Sequence, residues 1–200
     1  MKSEYLCIGI ESTAHTFGVS VMDSEGNILS DVKNVYKPPA GSGIHPREAS
    51  RHHTVTAPDL INEALEKAKI SYSDIDMIAV TIGPGSFTGM RTGLSAAHGL
   101  ALALNIPVHG VTTFEAVAFS VFRQLNKGAK SLPLFVVLET KRADLYFQQY
   151  TAGGLPQNEP VAVLPEAIIR LLPNCPIRIA GDACDRFLAS VPANKIANII

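Results

Sequence analysis

Tryptophan is absent from this 200-residue chain and charge is scarce, with Asp, Glu, Lys and Arg making up only 18% of it. Seventeen basic residues against eighteen acidic ones leave a formal net charge of −1. A chain that grips nucleic acid by itself carries a basic face. The near balance here implies that any nucleic acid is held mainly by another chain. Disorder is excluded from the other side: 46% of the residues are hydrophobic, enough to bury a core in one good-sized domain or two small lobes. So apolar a chain must bury an unusual share of its surface or share some with a partner.

Cysteine is also sparse. Cys7, Cys175 and Cys184 are odd in number and scattered, with no C-x-x-C pair, so free thiols in a reducing cytosol are expected. Long apolar runs are missing. Residues 6–10 are apolar but stop at Glu11, too short for the hydrophobic stretch of a secretion signal. No segment approaches the ~20 apolar residues that span a bilayer. The expected setting is the cytoplasm, with no membrane.

What is present begins with strands. Residues 6–10 (LCIGI) form a short apolar run of the kind buried on both faces. Residues 17–22 (FGVSVM) alternate, and Asp23-Ser24-Glu25-Gly26 is turn chemistry leading into a third strand at 28–35. Residues 37–43 (KPPAGSG) cannot be regular structure. Helical spacing runs over 46–69, and Pro58 inside it implies a kink or a break. A buried strand at 77–82, a helix at 86–104 ended by Asn105 and Pro107, a strand at 107–111 and a helix at 113–125 follow. After a loop at 126–131, strands at 134–138 and 145–150, a helix at 165–172, a strand at 177–180 and a helix at 182–190 behind an Asp182 cap complete the pattern. The order is that of an α/β protein with a mixed β-sheet flanked by helices, as in an RNase H-like or actin-like nucleotide lobe. The expected division is an N-terminal lobe over 1–128 and a smaller, truncated C-terminal lobe over 129–200.

Two segments have the composition of ligand loops. Glu11, Ser12 and Thr13 open a small, hydroxyl-rich turn that would let backbone N–H groups approach an anion, with Glu11 holding a metal ion through water. The same residues equally make an ordinary hairpin turn. Gly83, Gly85 and Ser86 lie where a strand hands over to a helix, a geometry that presents free helix N–H groups to a phosphate; glycines there also serve tight packing. His45, His52 and His53 invite a metal reading, but adjacent helical residues point ~100° apart and seldom chelate one ion, so capping or surface roles are expected. His15, His98 and His109 receive the same reading. The helix at 86–104 has Arg91 as its only full charge and apolar residues on both sides, Met90, Leu94 and Ala97 on one and Gly93 and Leu100 on the other. Such a helix is buried all round, within the domain or against another protein.

The residues 83–94 (GPGSFTGMRTGL) resemble the signature of TsaB, an ASKHA-fold subunit of the machinery that makes threonylcarbamoyladenosine in tRNA. Residues 99–108 (GLALALNIPV), 110–116 (GVTTFEA), 135–146 (FVVLETKRADLY) and 179–183 (IAGDA) are similar to TsaB as well. The first 70 residues resemble its catalytic paralogue, TsaD and the archaeal counterpart, through 9–19 (GIESTAHTFGV), 36–39 (YKPP), 43–49 (GIHPREA) and His52-His53. The chain thus looks like a composite of two paralogues with one ASKHA (actin-like ATPase, RNase H-like) fold.

The resemblance implies a partner subunit. The catalytic family carries a His-x-x-x-His metal pair after a Gly-Val strand end, and the matching positions here are Thr113 and Val117. No catalytic residue and no metal site is expected. Glu11, Ser12, Thr13, Gly83, Gly85 and Ser86 remain nucleotide candidates, for ATP or ADP with magnesium at a degenerate site. The family pairs subunits through helices equivalent to 46–69 and 86–104, which makes Leu60, Ala64, Met90, Gly93, Leu94 and Ala97 the expected interface. A TsaD-like paralogue, or a second copy, is the implied partner; a TsaE-like ATPase joins them, and tRNA is reached indirectly. The alternatives are a TsaD-type threonylcarbamoyltransferase, a nucleotide-binding ASKHA homodimer, and a sugar- or acetate-type kinase, which would need a second phosphate loop.

Overall fold

The computed structural model describes residues 5–41, 43, 45–124, 132–196 and 199. Contacts group the chain into two compact units, Met1–Thr113 and Phe114–Ile200. The boundary expected near residue 128 and the loop at 126–131 lie outside the described residues, as does Ile44.

The first unit is a five-stranded sheet in the order β3-β2-β1-β4-β5. Strands β1 (Leu6–Glu11), β2 (Thr16–Asp23) and β3 (Ile28–Val35) form the expected antiparallel meander. The turn between β2 and β3 closes because the Asp23 carboxylate accepts the Glu25 and Asn27 N–H groups, at 2.9 and 2.8 Å. Strands β4 (Met77–Thr81) and β5 (Val108–Val111) then add parallel to β1 through helical crossovers. Burial alternates along β1, with Ile8 and Ile10 in the core and Cys7 and Gly9 half-buried. The two-faced burial expected there is not observed. Gly9 contributes no side chain, and a Cβ on it would stand 2.9 Å from Ser20 Oγ on β2.

Helices α1 (Pro46–Ala68) and α2 (Phe87–Leu104) pack against the sheet on one core with Ile8, Val19, Ile78 and Val80. Pro58 does not break α1. Its missing N–H removes one bond from the helix ladder on a side where Pro58 itself is exposed. Ala57, Leu60, Ile61, Ala64 and Leu65 hold the helix to the core. Asn105 ends α2 in the left-handed conformation, its N–H donating to Ala101 O, as an Asn at that position should.

The second unit has a four-stranded sheet, β8-β7-β6-β9, built from β6 (Leu134–Glu139), β7 (Leu145–Tyr150), β8 (Val161–Val163) and β9 (Arg178–Ala180). Five consecutive residues of β6, from Leu134 to Leu138, are buried. Phe135 and Val137 enter one cluster with Phe147, Ile168 and Phe187. Leu134, Val136 and Leu138 enter another with Phe114 and Ala118 of α3 (Thr113–Gln124). Short helices α4 (Pro165–Arg170), α5 (Cys184–Leu188) and α6 (Ala193–Ile196) complete the unit. Asp182 does not cap α5; its carboxylate accepts the Glu139 N–H at 2.9 Å, and Ala183 stands at the cap. No helix among the described residues is long and apolar enough to cross a membrane.

Candidate functional site

The parallel strands β1, β4 and β5 end at one edge of the first sheet, the place where open α/β sheets offer their crevices. Three turns meet there. Gly83 leaves β4 at φ 97°, a conformation that favours glycine. The Gly83 carbonyl accepts the Thr113 N–H at 2.8 Å, and the Pro84 carbonyl accepts the Thr113 hydroxyl at 3.0 Å. Ser86 caps α2, its Oγ accepting the Gly89 N–H at 3.3 Å, a contact worth about 1 kcal/mol in helix stability.

The first turn lies directly on the second. Ser12 is buried and donates its hydroxyl to Gly89 O at 2.9 Å. Thr13 O accepts the Ser86 N–H at 2.6 Å. A Cβ on Gly85 would come within 2.5 Å of the Thr13 Cβ, and one on Gly89 or Gly93 would collide with Ser12. The Glu11 carboxylate turns back to accept both the N–H and the hydroxyl of Thr13. Glu11, Ser12, Thr13, Gly85 and Ser86 are therefore brought together, while Gly83 faces Met90 Sδ instead. The space in front of Gly85 and Gly89 is filled by Thr13 and Ser12. That contact requires small residues at 85 and 89.

The histidines separate by environment. His53 is fully buried, contrary to the expected capping or surface role. Its Nε2–H donates to Ala14 O at 3.2 Å, and the ring leans on Phe17 at 5.7 Å. Burial pushes its pKa below the ordinary value, because a charged imidazolium loses its hydration there. His52 pairs with Asn34 Oδ1 at 2.7 Å and stands 5.5 Å from the Tyr36 ring. Tyr36 in turn donates to Glu48 at 2.8 Å, a bond that raises the phenol pKa. His45 occupies the cap position of α1 without a side-chain bond; His15, His98 and His109 are exposed. Among the described residues no three His, Cys, Asp or Glu side chains gather where they could hold a metal ion.

Helix α2 does not bury all round within its unit. Its inward stripe is Gly89, Gly93, Ala97 and Ala101, small residues that let the helix approach Ser12 and Ile10. Phe87, Arg91, Ser95, His98 and Leu102 are exposed, Leu102 to 86%. Four of the six expected interface residues, Leu60, Ala64, Gly93 and Ala97, are thus covered by their own unit, and Met90 and Leu94 are half-buried. A groove of about 660 Å³ runs between α1 and α2, lined by Ser50, Thr54 and Ile61 on one side and Thr88, Arg91 and Leu100 on the other.

Comparison with known proteins gives the family. Its model for the tRNA N6-adenosine threonylcarbamoyltransferases, TsaD, matches residues 27–162 and so runs through both resembling segments. This chain belongs to that family. The transferase of Methanopyrus kandleri is 48% identical over 103 residues, covering 52% of this chain and 30% of its own length. That of Thermofilum pendens is 43% identical over 147 residues, covering 74% of this chain and 39% of its own. The chain accordingly spans well under half the length of these relatives. Among solved structures, YeaZ from Pseudomonas aeruginosa matches with a TM-score of 0.63 at 22% identity, over 81% of this chain and 68% of that one. The likeness establishes an ASKHA-type α/β fold.

The metal of the catalytic TsaD pattern does not fit the residues present. Thr113 spends its hydroxyl on the Pro84 carbonyl, and Val117 packs against the apolar cluster around Phe114 in the second unit. A valine offers no lone pair, and a neutral threonine is a poor replacement for imidazole.

Proposed function

We propose that this TsaD-family chain serves threonylcarbamoyladenosine formation in tRNA as a non-catalytic subunit, paired with a TsaD-type catalytic chain through α1 and α2. The carrying observation is the pair Thr113 and Val117, which stand where the resemblance puts the two metal-binding histidines. The open groove between α1 and α2 supports the pairing, since it lies on the helices that the resemblance assigns to the interface. A TsaE-like ATPase and tRNA join through the partner, in keeping with a net charge of −1. The second reading, a threonylcarbamoyltransferase in its own right, draws on relatives that carry that name.

Light scattering after size exclusion, on the chain alone and mixed with the full-length Methanopyrus kandleri transferase, separates the readings when combined with a tRNA modification assay. The subunit reading expects a 1:1 complex and no modification by the chain alone. Modification by the chain alone gives the second reading, and a chain that neither binds nor modifies overturns both.

A further inference from the structure

We infer that the α1/α2 groove selects a helix of a different chain that presents a carboxylate to Arg91; this rests on the subunit reading above and names the chemistry of the partner. Much of the groove floor is effectively apolar although hydroxyls line it, because those of Ser50, Thr54 and Thr92 bond to one another or to the helix backbone. Ser50 and Thr92 share a hydrogen bond of 2.6 Å between α1 and α2. Thr92 also reaches Thr88 O at 3.2 Å, and Thr54 donates to Ser50 O at 3.0 Å. Their methyl groups and Ile61, Ala96 and Leu100 are what a partner would meet. The floor asks for small and aliphatic side chains at helical spacing.

Arg91 is the one full charge in that surface. Its guanidinium lies 4.5 Å over the exposed Phe87 ring, which holds it on the outer side of α2, and it makes no ion pair among the described residues. Covering the groove takes this cation out of water, and a buried unpaired charge opposes binding strongly. Helix α2 contains no Asp or Glu, and no described residue lining the groove is acidic. In a symmetric dimer, where the same patch meets itself, α2 packed on α2 with the axis near Arg91 would bring the two guanidiniums together. A second copy would have to answer Arg91 with a carboxylate from outside α2, and α1 is the other helix lining the groove. There Glu48 accepts the Tyr36 hydroxyl and Glu63 is paired with Lys67 at 2.7 Å, which leaves Asp59 and the exposed Glu66. A carboxylate on a heterologous helix meets the guanidinium in its two-pronged geometry without that conflict.

The experiment titrates the full chain with the full-length Methanopyrus kandleri transferase, and separately measures self-association by sedimentation, at about 50 and 300 mM salt. Arg91 is exposed, so its variants should fold, and matching circular dichroism spectra check this. Arg91→Glu should weaken the heterologous complex by roughly tenfold or more, whereas Arg91→Lys keeps most of the affinity and its salt dependence. Asp59→Asn should leave that complex unchanged. If wild type binds and Arg91→Glu binds equally well, the carboxylate inference falls while the subunit reading stands. If instead wild type self-associates and Arg91→Glu abolishes it together with either Asp59→Asn or Glu66→Gln, the occupant is a second copy and the inference is overturned. If wild type binds nothing, the subunit reading fails and this inference with it.

Discussion

Burial alternates along β1, one residue in and the next half out, whereas β6 buries five residues in succession. The first sheet packs one face against α1 and α2; the second sandwiches its central strand between two apolar clusters. The first unit has turned its small residues, glycines and hydroxyls to the close seating of loops. The second has put its aromatic residues into a solid core, with Phe135 and Phe147 meeting edge to face at 5.1 Å. In one chain, then, hydroxyls and glycines collect where loops seat closely on one another, and bulk collects where a strand is covered on both faces.

The comparison is broken most strongly from the second unit. Phe135→Ala removes a fully buried ring and should cost about 3–5 kcal/mol, read as a large shift in the urea midpoint and loss of exchange protection across residues 132–196. The first unit answers to smaller changes of opposite kind. Gly89→Ala forces a methyl group onto the Ser12 carbonyl and should cost about 1–3 kcal/mol by overpacking. Gly99→Ala, on the same helix with nothing within 4 Å of the new Cβ, should stabilise by about 0.5–1 kcal/mol. Equal effects at the two glycines, measured by chemical denaturation, would remove close seating as the reason for Gly89.

The smallest effect sharpens the contrast through pH. The His53 pKa is lowered from its ordinary 6.5, chiefly by burial. The unfolded chain therefore takes up this proton first as pH falls. The first unit should hold its full stability above about pH 6.5 and lose some below it. His53→Gln keeps a donor for Ala14 O and should flatten that slope in exchange protection of residues 45–68. An unchanged slope would assign the acid sensitivity to other groups.

Much of the fold was legible because its signals are local. The alternation over 17–22, the Asp23 turn, the Ser86 start and the Asn105 stop of α2 all depend on residues within a few positions of each other. The inward face of α2 was not, because hydropathy ranks leucine above glycine while the tertiary approach of Ser12 admits only small residues. Leu102 consequently points out and Gly93 in. His52 and His53 could not be told apart for a similar reason. They are identical in kind, and only their rotation about α1 sets one beside Asn34 and the other beneath Ala14. The turn at Glu11–Thr13 and the Gly83–Ser86 loop were each recognisable, but their stacking on one another joins residues more than seventy positions apart.

For the pairing proposed above, the hydroxyl bond between Ser50 and Thr92 has a consequence for the life of the chain before assembly. A protein synthesised ahead of its partner must keep its docking face bare in water without clumping. Because these two hydroxyls satisfy each other, covering the face in that pairing strands neither of them. That part of the surface would be at ease in both conditions, which lowers the hydrogen-bonding toll of the proposed pairing.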